Sequence, residues 1–248
     1  MTEPAMANRG VALVIGVGAE SGLGAALARR FAREGLHVVV AGRTLARLRI
    51  VAEGIAATGG AVAIKVADAT SEADVAALFD EADRDGDLAL VAYNVGSNVA
   101  ASTQDTAPEL FERLWRQNAL GGFVVGREAA RRFSQRGQGT ILFTGATASL
   151  RARPPFLAFA AAKAALRAVA QGLAREFGAK GVHVAHIVID GVIAGEYAAT
   201  NFAEYARSKG ADGVLAVDDI ADAYWALHCQ KRSAWTHEMD LRPFKEPF

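Results

Sequence analysis

Cysteine is nearly absent: Cys229 stands alone in 248 residues. A single thiol excludes an internal disulfide framework, and no Cys/His set has the spacing of a zinc site, so no metal is expected. In a helical pattern such a cysteine reads as a small buried apolar residue. Charge of one sign is not in excess either. Lys plus Arg and Asp plus Glu each total 27, which favours neither nucleic acid nor a membrane surface as partner. No apolar run is expected to reach membrane-spanning length. The opening residues, Met-Thr-Glu-Pro-Ala-Met-Ala-Asn-Arg, lack the apolar centre of a signal peptide. A cytoplasmic protein is the expectation. Hydrophobic residues at 52% are enough for a large core.

What is present is an alternation of two periods. Strands are expected at 11–17, 36–41, 61–67, 88–93, 139–144 and 182–189, with a last one at 236–241. Helices are expected at 25–34, 45–57, 70–86, 156–177 and 218–230, and a long one at 108–136 interrupted by Gly121-Gly122. A helical flap is expected at about 194–210. Alternation of this kind implies one α/β domain over 1–248, doubly wound in the Rossmann manner. Its parallel sheet would carry helices on both faces. Ligands of such sheets lie at the carboxyl ends of the strands, so chemistry is expected just after each strand.

The first strand runs into Gly18-Ala-Glu-Ser-Gly22-Leu-Gly24 and then a helix. Glycines there let the backbone approach a ligand, and the helix N-terminus offers unpaired N–H groups to a pyrophosphate. The spacing G-x-x-x-G-x-G, this near the N-terminus, resembles the short-chain dehydrogenase/reductase family. Tyr93-Asn-Val-Gly96 is similar to that family's Asn-Asn-Ala-Gly motif, with two changes. Gln117-Asn118-Ala matches its active-site asparagine, which orders a lysine through water. Asp190-Gly-Val-Ile193 takes the place of its Pro-Gly segment beside the nicotinamide, with Asp for Pro. The resemblance covers roughly residues 11–230. It implies cofactor contacts from Gly18, Ser21, Gly22, Leu23, Asp68, Asn94, Gly96, Lys163 and Ile193.

Arg43 follows the second strand, and no Asp or Glu lies between Gly35 and Glu53. A carboxylate there would repel a 2′-phosphate, whereas a guanidinium pairs with it, so NADP(H) is expected over NAD(H). The alternative is that Arg43 opens a solvated helix, as Arg47 and Arg49 do. Asp68 is either the adenine contact that the resemblance implies or a turn residue.

The acid–base half of the family pattern is broken. The family uses a tyrosine, a lysine four residues later and a serine before them. The matching segment here is Phe159-Ala-Ala-Ala-Lys163, and the serine falls on Ala146. Phenylalanine has no exchangeable proton. Asn118 and Lys163 remain as catalytic candidates, with Thr147 a register-shifted hydroxyl and Tyr197 or Tyr205 on the flap as other donors. The expected activity is an NADP(H)-dependent oxidoreductase acting on a small, mostly apolar carbonyl, alcohol or activated alkene. The alternative is an NADP(H)-binding sensor or scaffold without turnover. Small residues on several faces of 156–177 suggest a homo-oligomer, dimer or tetramer.

Overall fold

The computed structural model describes residues 10–246. The ends of the expected 1–248 domain, residues 1–9 and 247–248, lie outside the described residues. In chain order the elements are β1 (Val11–Ile15), α1 (Leu23–Arg33), β2 (His37–Gly42), α2 (Leu45–Ala57), β3 (Val62–Val66) and α3 (Glu72–Asp85). Then come β4 (Leu88–Tyr93), α4 (Pro108–Trp115), α5 (Gly121–Arg136), β5 (Gly139–Thr144) and α6 (Leu157–Phe177). The last are β6 (Val182–Ile189), α7 (Glu196–Asn201), α8 (Ala203–Lys209), α9 (Val217–His228) and β7 (Glu238–Leu241). The seven strands form one sheet in the order β3-β2-β1-β4-β5-β6-β7. Every pairing is parallel.

Alternation along each strand divides the core into two layers. Val11, Leu13 and Ile15 of β1 face one layer with Phe79, Phe133, Phe143 and Leu166, brought by α3, α5, β5 and α6. Ala12 and Val14 face the other, with Phe31, Leu48, Ile220 and Tyr224 of α1, α2 and α9. The order reverses direction between β1 and β4, and the crevice above that junction is where a doubly wound sheet takes its ligand. Gly16 shapes its floor. It has φ of +96°, and a Cβ there would lie 2.6 Å from the Asn94 carbonyl carbon, so only glycine fits.

Cys229, expected as a buried residue, is exposed at the end of α9. Two further expectations need correction. The long helix at 108–136 is not interrupted at Gly121-Gly122. Those glycines lie in α5, where a Cβ on Gly122 would meet Leu166 Cδ1 at 2.3 Å, so they let α5 approach α6 closely. The irregularity comes just before them, as a π-helical turn over Arg116–Leu120. Its cause is side-chain competition for helix carbonyls. Asn118 Nδ2 donates to the Leu114 carbonyl at 2.9 Å, and the Tyr93 hydroxyl donates to the Gln117 carbonyl at 2.7 Å. The second correction concerns α6. By length and composition alone, the stretch Leu157–Lys180 could cross a membrane. In this fold it packs on β6, with Lys163 buried and Arg167 ion-paired to Glu238 of β7.

Helices α3 and α5 are joined by a charged cluster beside the sheet. Arg132 bonds Asp80 and Glu128, both at 2.6 Å, and also Asp83, while its guanidinium lies 5.5 Å over the Phe79 ring. The Glu128 carboxyl is pulled down to about 2, first by its hydrogen bond from Arg131 and then by Arg132. Unlike most exposed pairs, Arg132 is largely covered, so its bonds are weakly screened. Arg132→Ala is expected to cost about 1–3 kcal/mol. Scanning calorimetry should show that as a Tm drop of roughly 2–4 °C per kcal/mol. An unchanged Tm would mean the cluster contributes nothing net.

Candidate active site

The glycine-rich loop between β1 and α1 presents two features suited to an anion. A Cβ at Gly18 would meet nothing within 4 Å, so the loop has an open side. Gly22 caps α1 without a side chain, which leaves the helix N-terminus to backbone donors. Leu23 itself is buried in the α1–α2 layer and offers only its backbone to the crevice. Ser21 is exposed, and its Oγ accepts the Glu196 N–H at 3.0 Å.

Arg43 stands exposed at the end of β2. Across from it, Asp68 accepts from the Thr70 N–H at 2.9 Å and the Thr70 hydroxyl at 2.8 Å. The backbone bond from Thr70 holds the Asp68 carboxyl below its usual range, and the charges of Arg43 and Arg116 add to this. Asp68 is thus a turn residue and a neighbour of Arg43 at once.

The deepest part of the site is built by β4, the π turn and α6. Asn94 Nδ2 donates to the Gly16 carbonyl at 3.2 Å, and its Oδ1 accepts from Thr144 Oγ1 at 3.0 Å. Lys163 Nζ, almost fully buried, donates to the Thr144 carbonyl at 2.9 Å. Burial lowers its pKa to about 8. Asn118 Nδ2 is taken by the Ser97 and Leu114 carbonyls, at 3.1 and 2.9 Å. Its Oδ1 is buried with no hydrogen-bond partner. Both this Oδ1 and Lys163 Nζ lie 3.3 Å from the place a Cβ on Gly96 would fill. A hydroxyl there would answer both, accepting from Nζ and donating to Oδ1. The residues present therefore fit a dinucleotide: an anion loop, a cation at β2, and a hydroxyl subsite beside Gly96.

Phe159 lies one helical turn before Lys163, its ring centroid 5.8 Å from Nζ. Ala146 precedes a 3₁₀ turn over Thr147–Ser149 and has its N–H bonded to Ser149 Oγ at 3.1 Å. Thr147 does not stand free as an alternative hydroxyl. It donates to Asp190 Oδ1 at 2.5 Å. Asp190, at the end of β6, is buried and also faces Arg151 at 3.2 Å and Arg242 at 2.8 Å. Ile193 follows, bridged to Leu215.

The expected flap at 194–210 is the helix pair α7–α8. It is fastened to the cofactor side by Glu196, whose carboxylate meets Arg47 at 2.9 Å. The Tyr197 hydroxyl donates to Asn98 Oδ1 at 2.5 Å, and the Tyr205 hydroxyl to Glu246 at 3.0 Å. Sequence reasoning passed over Ser97 and Tyr224. Thr144 stands at the end of a buried strand, two residues before Ala146. Tyr224 meets it from 80 residues away, at 2.7 Å.

The sequence and the structure of this chain both have known counterparts. Residues 11–206 match the family model for short chain dehydrogenases. Versicolorin reductase 1 of Dothistroma septosporum is 34% identical over 215 residues, covering 86% of this chain and 78% of that protein. Glucose 1-dehydrogenase of Gluconobacter oxydans is 31% identical over 174 residues, 69% of this chain and 65% of that protein, so the match spans just under two thirds of its length. The crystal structure of a short-chain dehydrogenase from Rhodopseudomonas palustris is 38% identical, with a TM-score of 0.81 over 95% of this chain and 99% of that one. Matches of this extent place the chain in the short-chain dehydrogenase/reductase family of oxidoreductases, and the dinucleotide its crevice fits is accordingly a pyridine nucleotide.

Proposed function

We propose that the chain is an NADP(H)-dependent oxidoreductase of the cytoplasm. Its substrate class is a small, mostly apolar carbonyl, alcohol or activated alkene. The reading rests on the pairing of Lys163 Nζ and Asn118 Oδ1 around Gly96, at the carboxyl ends of the strands. In this reading Phe159 and Ala146 occupy the positions where the family has its tyrosine and serine. When bound, the cofactor supplies or accepts a hydride. Lys163 and Asn118 hold its hydroxyls, the glycine-rich loop holds its pyrophosphate, and Arg43 takes the 2′-phosphate. Support for the phosphate comes from the exposure of Arg43 and from the lack of any carboxylate between Gly35 and Glu53.

A phosphate–guanidinium bond is worth about 1.5–3 kcal/mol, so NADPH should bind about tenfold or more tighter than NADH. Calorimetry of both cofactors on wild type and Arg43→Ala tests this. The preference should vanish in the variant, and equal affinities in wild type would defeat it.

Simple ketones should be reduced slowly, because a positioned acid contributes roughly 10²–10⁴-fold and Phe159 supplies none. Phe159→Tyr should raise the rate, and Ala146→Ser with Phe159→Tyr should exceed either change alone. The measurement is NADPH consumption across aldehydes, ketones and diketones. Brisk wild-type turnover that falls on introducing tyrosine would assign Phe159 to shaping the substrate instead.

The oligomer is part of the same proposal. Leu157, Ala164, Ala168 and Gly172 are exposed along α6, beside exposed Phe111, Trp115 and Phe123 of α4 and α5. A second copy packed on this face would cover them. Light scattering should find a dimer or tetramer, and Ala168→Glu should dissociate it. A wild-type monomer would overturn this part.

A further inference from the structure

We infer that Asp190 is a positioning residue: through Arg242 and the residues after it, Asp190 sets the place of α8 on the substrate side of the crevice. The inference rests on the oxidoreductase reading only in naming that side the substrate's. The contacts of one buried carboxylate carry it.

Asp190 follows β6 directly and is 3% exposed. A buried carboxylate is costly unless its oxygens are answered. Here they are answered from two distant segments. Thr147 Oγ1 donates to Oδ1 at 2.5 Å, and Arg151 Nη2 reaches both oxygens, at 3.4 and 3.2 Å. Arg242 Nη2 meets Oδ2 at 2.8 Å from the other direction. The Asp190 N–H donates to the Leu241 carbonyl at 2.8 Å, which brings Arg242 to the carboxylate in register with β7. The end of β6 thus holds the turn after β5 and the start of the C-terminal segment at one point.

Arg242 has a second carboxylate, Asp240, at 2.9 Å. The Asp240 side chain is 38% exposed, whereas that of Asp190 is 4% exposed. Solvent screens the Asp240 pair far more than the Asp190 pair. The Asp240 bond also ties the segment only to its own strand, β7. The Asp190 bond ties it across to β6.

From Arg242 the chain runs to α8. Pro243 packs on Gly191, where a Cβ would meet Pro243 Cδ at 2.8 Å. Lys245 Nζ donates to the carbonyls of Lys209 and Ala211, at 3.1 and 3.3 Å. Glu246 accepts from the Tyr205 hydroxyl at 3.0 Å and from Lys209 Nζ at 3.5 Å. These contacts fall on α8 and the residues just after it. Helix α7 is fastened instead through Ser21, Arg47 and Asn98, on the side of the glycine-rich loop. A change at Asp190 is therefore carried to the half of the flap away from the cofactor.

The test is hydrogen exchange read by mass spectrometry on the whole, cofactor-free protein. Peptides over 203–209 and 242–246 should exchange about tenfold or more faster in Arg242→Ala and in Asp190→Asn, the loss expected for a hydrogen bond between charged groups. Peptides over α3 and α5 should be unchanged. Arg242→Lys keeps a cation on Asp190 and should restore most of the protection. Asp240→Asn removes only the exposed partner and should leave α8 as in wild type, so it decides the matter if Asp190→Asn folds poorly. Calorimetry should find NADPH affinity unchanged in Arg242→Ala. With 9,10-phenanthrenequinone as the carbonyl probe, that variant should show KM raised several-fold and kcat unchanged. Phe159 supplies no acid, so chemistry is slow and KM approaches a dissociation constant.

Wild-type exchange over α8 in both Arg242→Ala and Asp190→Asn would overturn the inference. Faster exchange in Asp240→Asn would give the hold to Asp240 instead. A uniform rise along the chain would replace positioning by a general loss of stability. No rescue by Arg242→Lys would assign the hold to packing of the arginine stem and remove the role of Asp190. An unchanged KM beside a loosened α8 would overturn the link to substrate. Wild type that binds NADPH but consumes none with any carbonyl would remove the oxidoreductase reading, while the exchange results would still decide what Asp190 holds.

Discussion

The side-chain amide of Asn94 is the tie on which the site depends. Its Nδ2 is given to the Gly16 carbonyl, so Oδ1 must be the acceptor that meets Thr144. Thr144 has one hydroxyl proton, and that bond uses it. The Tyr224 hydroxyl, 2.7 Å away, must then be the donor to Thr144. One polarised chain of hydrogen bonds runs from the end of β1 through β4 and β5 to α9. It crosses the junction where strand order reverses, so the ligand crevice opens above a bonded floor. Leaving one such buried group unpaired costs about 1–3 kcal/mol. The chain is therefore cooperative in the strict sense that each donor assignment forces the next.

The same strand end holds the buried charge. Thr144 uses its hydroxyl for Asn94 and its carbonyl for Lys163. A lysine this deep is less costly when no second cation stands unpaired beside it. That condition is met. Arg167 is neutralised by Glu238, whose carboxyl the guanidinium holds below its usual range. Glu238 also accepts from His186 Nδ1, which fixes the proton there and leaves Nε2 bare against Gly145. A protonated His186 would set a like charge against Lys163.

Much of this was legible in the residues, and the limits have physical causes. The elements at 45–57, 88–93, 139–144 and 182–189 run over the residues that periodicity and punctuation assign to them. Buried strands bounded by turn residues leave little ambiguity, and Ser71 caps α3 by accepting from the Asp74 N–H. Asn118 was legible through its match to the family's asparagine, and its side chain is one of the groups that turn the backbone into a π bulge there. The position of that irregularity was not legible. Gly121-Gly122 read as a breaker, but packing against Tyr93 and Leu166 decides their role, and packing partners lie far away in sequence. Asp190 is the same case. Arg151 and Arg242 meet it from opposite directions along the chain, and no local pattern announces either.

The flap shows how contacts from distant segments partition a local element. Phe202 ends α7 and begins α8, so the two short helices share one corner. Helix α7 is held to the cofactor side through Ser21, Arg47 and Asn98. Helix α8 is held by the C-terminal segment instead. Lys245 Nζ donates to the carbonyls of Lys209 and Ala211, at 3.1 and 3.3 Å, and Glu246 accepts from Tyr205. The fastenings of both helices are exposed, and an exposed ion pair such as Arg47–Glu196 is worth about 0–1 kcal/mol. One of those at α8 answers the Lys209 carbonyl at the end of the helix. Each half of the flap is therefore placed by a different distant segment, α7 by the glycine-rich loop and its neighbours and α8 by the C-terminal residues, which is why the local pattern over 194–210 reads as one element.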